Sequence, residues 1–118
     1  MGPFDHFRQV MEGPFAPQTA FEISVFLVGQ LRQACLNCSF KKADIYCGGS
    51  VVTLFLTEQD AWEAVIVGPN AYQFYPGFLS SDGETIVWPN IWVADDYDLV
   101  TFVRALEEAF EHAARARH

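Results

Sequence analysis

Between residues 43 and 93 the chain is cut by turn-forming residues into runs too short to be packed helices. This feature most limits what the chain can fold into. Gly48-Gly49 separates 45–47 from 50–56, a stretch that is β-branched and apolar on both faces and suits a central strand. Residues 57–60 read as a turn, 62–67 as a strand closed by Gly68-Pro69-Asn70, and 71–75 as a short strand closed by Pro76-Gly77. Ser81-Asp82-Gly83-Glu84 carries a hairpin turn. Residues 85–93 follow as a strand interrupted by Pro89-Asn90, where a proline demands a bulge, a sheet edge or two short strands.

Helical patterns flank this block. Leu99, Phe102, Val103, Leu106, Phe110 and Ala113 recur at the spacing of one helix face, with Arg104, Glu107, Glu108 and Glu111 opposite. Glu111 and Arg115 form an i,i+4 pair, and Arg115 and Arg117 suit the negative end of the helix dipole. Upstream, Thr19-Ala20-Phe21-Glu22 matches a capping box and predicts a helix over 20–36, placing Phe21, Val25, Val28 and Cys35 on one face with Leu31 close by. Phe21, Ile23, Val25 and Leu27 also alternate with Glu22 and Ser24, as a strand would; the specific cap favours the helix. Residues 5–11 predict a short helix stopped by Gly13-Pro14, with its apolar face docked on the body.

These elements sum to a single α+β domain over 1–118. Its expected form is two layers: an antiparallel meander of four to five strands, with helices at 20–36 and 98–115 packed on one face. Residues 1–18 form an N-terminal segment whose short helix docks on that body.

Charge is as uneven as the punctuation. From residue 43 to residue 103 there is no lysine or arginine, yet there are nine acids: Asp44, Glu58, Asp60, Glu63, Asp82, Glu84, Asp95, Asp96 and Asp98. The formal charge of the chain is −8. Such a field repels nucleic acid and anionic membrane and attracts a basic partner. The longest apolar run is too short to span a bilayer. The sequence does not open on a basic stretch followed by an apolar run, and its three cysteines are an odd count; a cytoplasmic setting is expected.

Few residues form patterns that carry chemistry. Cys35 and Cys38 make a CxxC with Cys47 further on, but Cys35 falls near a helix C-terminus, which disfavours a thiolate, and the fourth ligand of a zinc site is missing at any conventional spacing. They read as small, half-buried residues, and no metal or cofactor is expected. His112, with Glu108 four residues before it, reads as a solvated helix-face pair. There is no GxGxxG, Walker A, HExxH or GxSxG motif.

The acids and aromatics of the base-free stretch remain. Asp95, Asp96 and Asp98 precede the last helix, whose N-cap needs only one of them. Trp88 and Trp92 flank Pro89-Asn90, and Tyr97 sits within the acid cluster. Tryptophan and tyrosine among carboxylates make anchors for Lys and Arg through cation–π contact and charge pairing. The expected partner-binding set is therefore Glu58, Asp60, Trp88, Trp92, Asp95, Asp96 and Tyr97, with no catalytic residue.

The expected function is that of a non-enzymatic acidic protein that neutralises or escorts a basic protein, such as a toxin or secreted effector. In size, acidity and outline the chain is similar to the immunity proteins that block basic bacterial nuclease toxins, although it shares no motif with them. Alternatives are a small acidic secretion chaperone, an enzyme or small-ligand domain built on carboxylates and aromatics, and a homodimer formed through an outward strand bearing Trp88 and Trp92.

Overall fold

The computed structural model describes residues 2–37, 44–56, 60–79, 86–87 and 97–116. The chain runs α1 (Asp5–Glu12), α2 (Ala20–Asn37), β1 (Asp44–Gly48), β2 (Val51–Phe55), β3 (Asp60–Gly68), β4 (Ala71–Leu79), β5 (Ile86–Val87) and α3 (Leu99–Ala116). The strands form one open antiparallel sheet in the order β1-β2-β3-β4-β5. Both long helices lie on one face of it, α2 over β1 to β3 and α3 over β4, so the α+β two-layer arrangement expected from the sequence is the one observed.

The sheet's period of two separates its faces. Val52, Leu54, Trp62, Ala64, Ile66, Tyr72 and Phe74 are all buried. Register brings them together: Leu54 lies opposite Trp62, Val52 opposite Ala64, Ala64 opposite Phe74, and Ile66 opposite Tyr72. The other face carries the row Tyr46, Thr53, Glu63, Tyr75 and the row Val51, Val65, Gln73. The β1–β2 hairpin closes on Gly49 at φ +64°, a left-handed value that a side chain would strain.

Two strand boundaries differ from the expected ones by more than one residue. Asp60 begins β3 rather than completing a turn, and β4 continues through Pro76-Gly77 to Leu79. The amide of Tyr72 donates to the Tyr97 carbonyl at 3.1 Å, on the side of β4 away from β3. By strand alternation, position 76 directs its backbone the same way. Pro76 therefore withholds a donor where β3 needs none, and its pairing with Trp62 survives. Of the strand expected over 85–93, Ile86 and Val87 pair with Leu79 and Phe78; residue 85, residues 88–93 and the turn at 81–84 lie outside the described residues.

The capping box at α2 forms with a changed reciprocal bond. The Glu22 amide donates to Thr19 Oγ1 at 3.1 Å, and that hydroxyl, rather than the Thr19 amide, is bonded to the Glu22 carboxylate at 3.0 Å. The buried face of α2 is Ile23, Ser24, Leu27, Val28, Leu31, Ala34 and Cys35. The grouping expected from the sequence splits: Val28, Leu31 and Cys35 point inward, while Phe21 and Val25 are exposed. Ser24 can be buried because its hydroxyl donates to the Ala20 carbonyl at 2.8 Å within the helix. Gly29 stands in the helix interior, where a Cβ would meet nothing within 4 Å. Glycine in such a place is less favourable than alanine by about 1 kcal/mol.

α1 joins the two long helices. Phe7 stacks on Phe26 of α2 at 5.2 Å between centroids and lies 6.5 Å from Phe102 of α3, while Phe4 meets Phe110 edge-on at 5.3 Å. Asp5, in its first turn, accepts from the Gly2 amide and from Arg8. Both phenylalanines of α1's approach and body are fully buried, which makes this short helix part of the core.

Candidate functional site

The described cations, Arg8, Arg32, Arg104 and Arg115, all sit on helices. Arg8 is paired with Asp5 at 2.8 Å and Arg115 with Glu111 at 3.4 Å. The strands bring no cation of their own, so the sheet layer is the acidic part of the fold. On its outer face Glu63 lies between Thr53 and Tyr75, and burial raises its carboxyl above the ordinary value. The Tyr75 hydroxyl donates to Gln73 Oε1 at 2.9 Å beside it.

A cleft of about 340 Å³ opens where α3 crosses β3 and β4, lined by Trp62, Phe74, Tyr97, Ala105, Glu108, Ala109 and His112. Ala105 and Ala109 stand one turn apart on α3, and their small side chains leave the space that larger ones would fill. Trp62 and Phe74 rise from the sheet beneath them. Glu108 and His112 are exposed at the rim. Both are solvated helix-face residues, as the sequence suggests, but they also border an aromatic hollow.

Tyr97 is held there by its backbone. It forms an antiparallel bridge to Tyr72, donating its amide to the Tyr72 carbonyl at 2.6 Å and accepting at 3.1 Å. Tyr72 is itself fixed: it is fully buried, stacked on Phe102 at 4.5 Å, and its hydroxyl donates to the Pro69 carbonyl at 3.1 Å. Burial pushes that hydroxyl's pKa up to about 12. One residue on, Asp98 is the cap of α3, its carboxylate accepting from the Thr101 amide at 2.8 Å. That bond, with lesser help from the Thr101 side chain, holds the Asp98 carboxyl below its ordinary value. Capping thus uses the third aspartate of the cluster.

Of the seven expected partner-binding residues, Tyr97 is the one whose side chain is described, half-buried against the cleft. Asp60 is placed by its backbone pairing with Phe78 at the start of β3. Glu58, Trp88, Trp92, Asp95 and Asp96 lie outside the described residues. The expected partner-binding set left out Trp62, Glu108 and the alanine pair. The available signal was two alanines four residues apart on the inward side of an amphipathic helix, facing a strand with aromatics at alternate positions.

Chemically, the cleft offers aromatic faces and one carboxylate, a combination that suits a cation on an apolar stem. Among the described residues no group of three His, Cys, Asp or Glu is arranged to hold a metal ion. Cys35 is buried in α2, Cys47 is exposed on β1, and Cys38 is outside the described residues. No described helix is long and apolar enough to cross a membrane. Comparison with family models, with curated proteins and with solved structures finds no match for this chain.

Proposed function

We propose that this chain is a non-enzymatic acidic binding protein that recognises a basic protein partner and neutralises or escorts it, in the manner of an immunity protein set against a bacterial toxin. The observation that supports this reading is the cleft between α3 and the cation-free sheet, with its aromatic walls and Glu108 at its mouth. A Lys or Arg of the partner would lay its stem along Trp62, Phe74 and Tyr97 and bring its charge to Glu108. Asp95 and Asp96 immediately precede Tyr97 in the chain and would meet further cations. Glu58, Asp60, Trp88 and Trp92 complete the proposed contact set. The field of a −8 chain would steer the encounter, making association fast and sensitive to salt.

The test is capture on a tagged copy from its native host at low salt, with the bound proteins identified by mass spectrometry. The expected outcome is one basic protein whose affinity falls as salt rises. Replacing Asp95 and Asp96 together by Lys should abolish that binding and leave the circular dichroism spectrum unchanged. Recovery of general chaperones alone would remove the support for this reading.

A further inference from the structure

The outer face of α2 is not used by the fold or by the proposed partner site. Phe21, Val25 and Leu36 stand on it at 62%, 53% and 74% exposure, and Phe15, just before the helix, at 93%. Gly29 lies on the same face with open space over it. Nothing in the chain's own packing requires a glycine there. A missing side chain in mid-helix does allow another backbone or side chain to come close.

The charges on this face select its occupant. Exposed Glu22 and exposed Arg32 are its ionic groups among residues 20–36, one of each sign. A basic partner finds no net attraction here. The two charges are, however, equidistant from Leu27, five residues to either side, and Val25 and Gly29 are equidistant from the same point, two residues to either side. Around a two-fold axis that crosses the outer face at the height of Leu27, an antiparallel second helix would set Val25 against Gly29 of the other copy and Glu22 against its Arg32, each contact made twice.

We infer that two copies of this chain associate antiparallel through the outer faces of α2. The interface is a bulky-to-small fit of Val25 over Gly29, with Phe21 and Leu36 alongside and two Glu22–Arg32 pairs. It lies on the helix layer, which holds all the described arginines, rather than on the cation-free strands.

The experiment is analytical ultracentrifugation of the full chain over a concentration series, with four single variants and one double variant. The unsubstituted chain should reach twice its 13.3 kDa mass. Val25→Glu should weaken association at least about tenfold, as burying an unpaired carboxylate demands. Gly29→Leu should do the same while raising the melting temperature of the monomer, a pairing of effects that a merely structural glycine would not give. Glu22→Arg and Arg32→Glu should each weaken the dimer, and the two together in one chain should restore it. A chain that stays monomeric throughout overturns the inference and leaves the face to a different partner. A dimer indifferent to Val25→Glu and Gly29→Leu also overturns it, because assembly would then use another surface. Failure of the double reversal to rescue would overturn the antiparallel register.

Discussion

α2 and α3 each run for 18 residues over the same sheet, yet they meet water differently. α3 buries Phe102, Val103, Leu106, Ala109, Phe110 and Ala113 and turns Arg104, Glu108, Glu111 and Arg115 outward. α2 buries a set that is apolar but for Ser24, and also turns Phe21, Val25 and Leu36 outward. On α3 the pattern of side chains alone decides which side faces the core. On α2 apolar residues occur all round, so the pattern leaves two candidate faces, and packing chooses between them. The choice falls on the face carrying Leu27 and Leu31. Its one polar member, Ser24, is satisfied locally by the Ala20 carbonyl, so burying it demands no partner from elsewhere.

The comparison can be broken most directly at the core. Phe102→Ala, which removes the ring stacked on Tyr72, should destabilise by about 3–5 kcal/mol, and Leu27→Ala by about 2–5 kcal/mol, in urea unfolding followed by circular dichroism. Phe21→Ala and Val25→Ala, measured at concentrations where the chain is monomeric, should stay within about 0.5 kcal/mol of the parent. A loss at Val25 as large as that at Leu27 would mean the two faces of α2 are not distinct. Next in size is the cap: Thr19→Ala should lower stability by about 1 kcal/mol through the unmet Glu22 amide, read from the same curves.

The smallest effects are those of pH, and the two layers should respond with opposite sign. The folded Asp98 carboxyl titrates below its ordinary value of 3.8, chiefly through the Thr101 amide. The stability it confers is complete above that value and is lost as pH falls through the folded one. Glu63 is shifted the other way, above 4.5, by burial. Its contribution is present below that value and is lost as pH rises through the folded one. Glu63→Gln should therefore raise the melting temperature at neutral pH and make little difference in acid, while Asp98→Asn should lower it at neutral pH. A Glu63→Gln variant that melts lower at pH 7 would contradict the assignment of burial as the cause.

How far the sequence revealed the molecule follows the same division. α3, the capping box and the Gly48-Gly49 hairpin each carry a local signature whose physics is complete within a few residues. The continuation of β4 through Pro76 was hidden, because proline breaks the pairing only with the neighbour its missing amide would face, and which side of β4 is taken by β3 is decided by the fold. The burial of one face of α2 over another was hidden for a related reason. In the site, the acid-rich stretch and Tyr97 could be named from composition. The cleft could not, since it exists only where Ala105 and Ala109 pass over Trp62 and Phe74, residues that are distant in the chain.

The seating of Phe4 against Phe110 has a consequence for how the chain assembles. Every strand pairs with its successor, so the sheet can zip up from contacts close together in the chain, which form quickly. Phe7 of α1 has Phe26 of the neighbouring α2 to rest on, but Phe4 at the head of α1 must wait for Phe110 of α3 before its ring is covered. We expect its docking to be the final event of folding, with substitutions at Phe4 and Phe110 speeding unfolding while leaving the refolding rate nearly unchanged, in contrast to substitutions in the β3–β4 hairpin. Stopped-flow chevrons of the two classes would show it: Phe4 and Phe110 act as a clasp, closed after everything between them is in place.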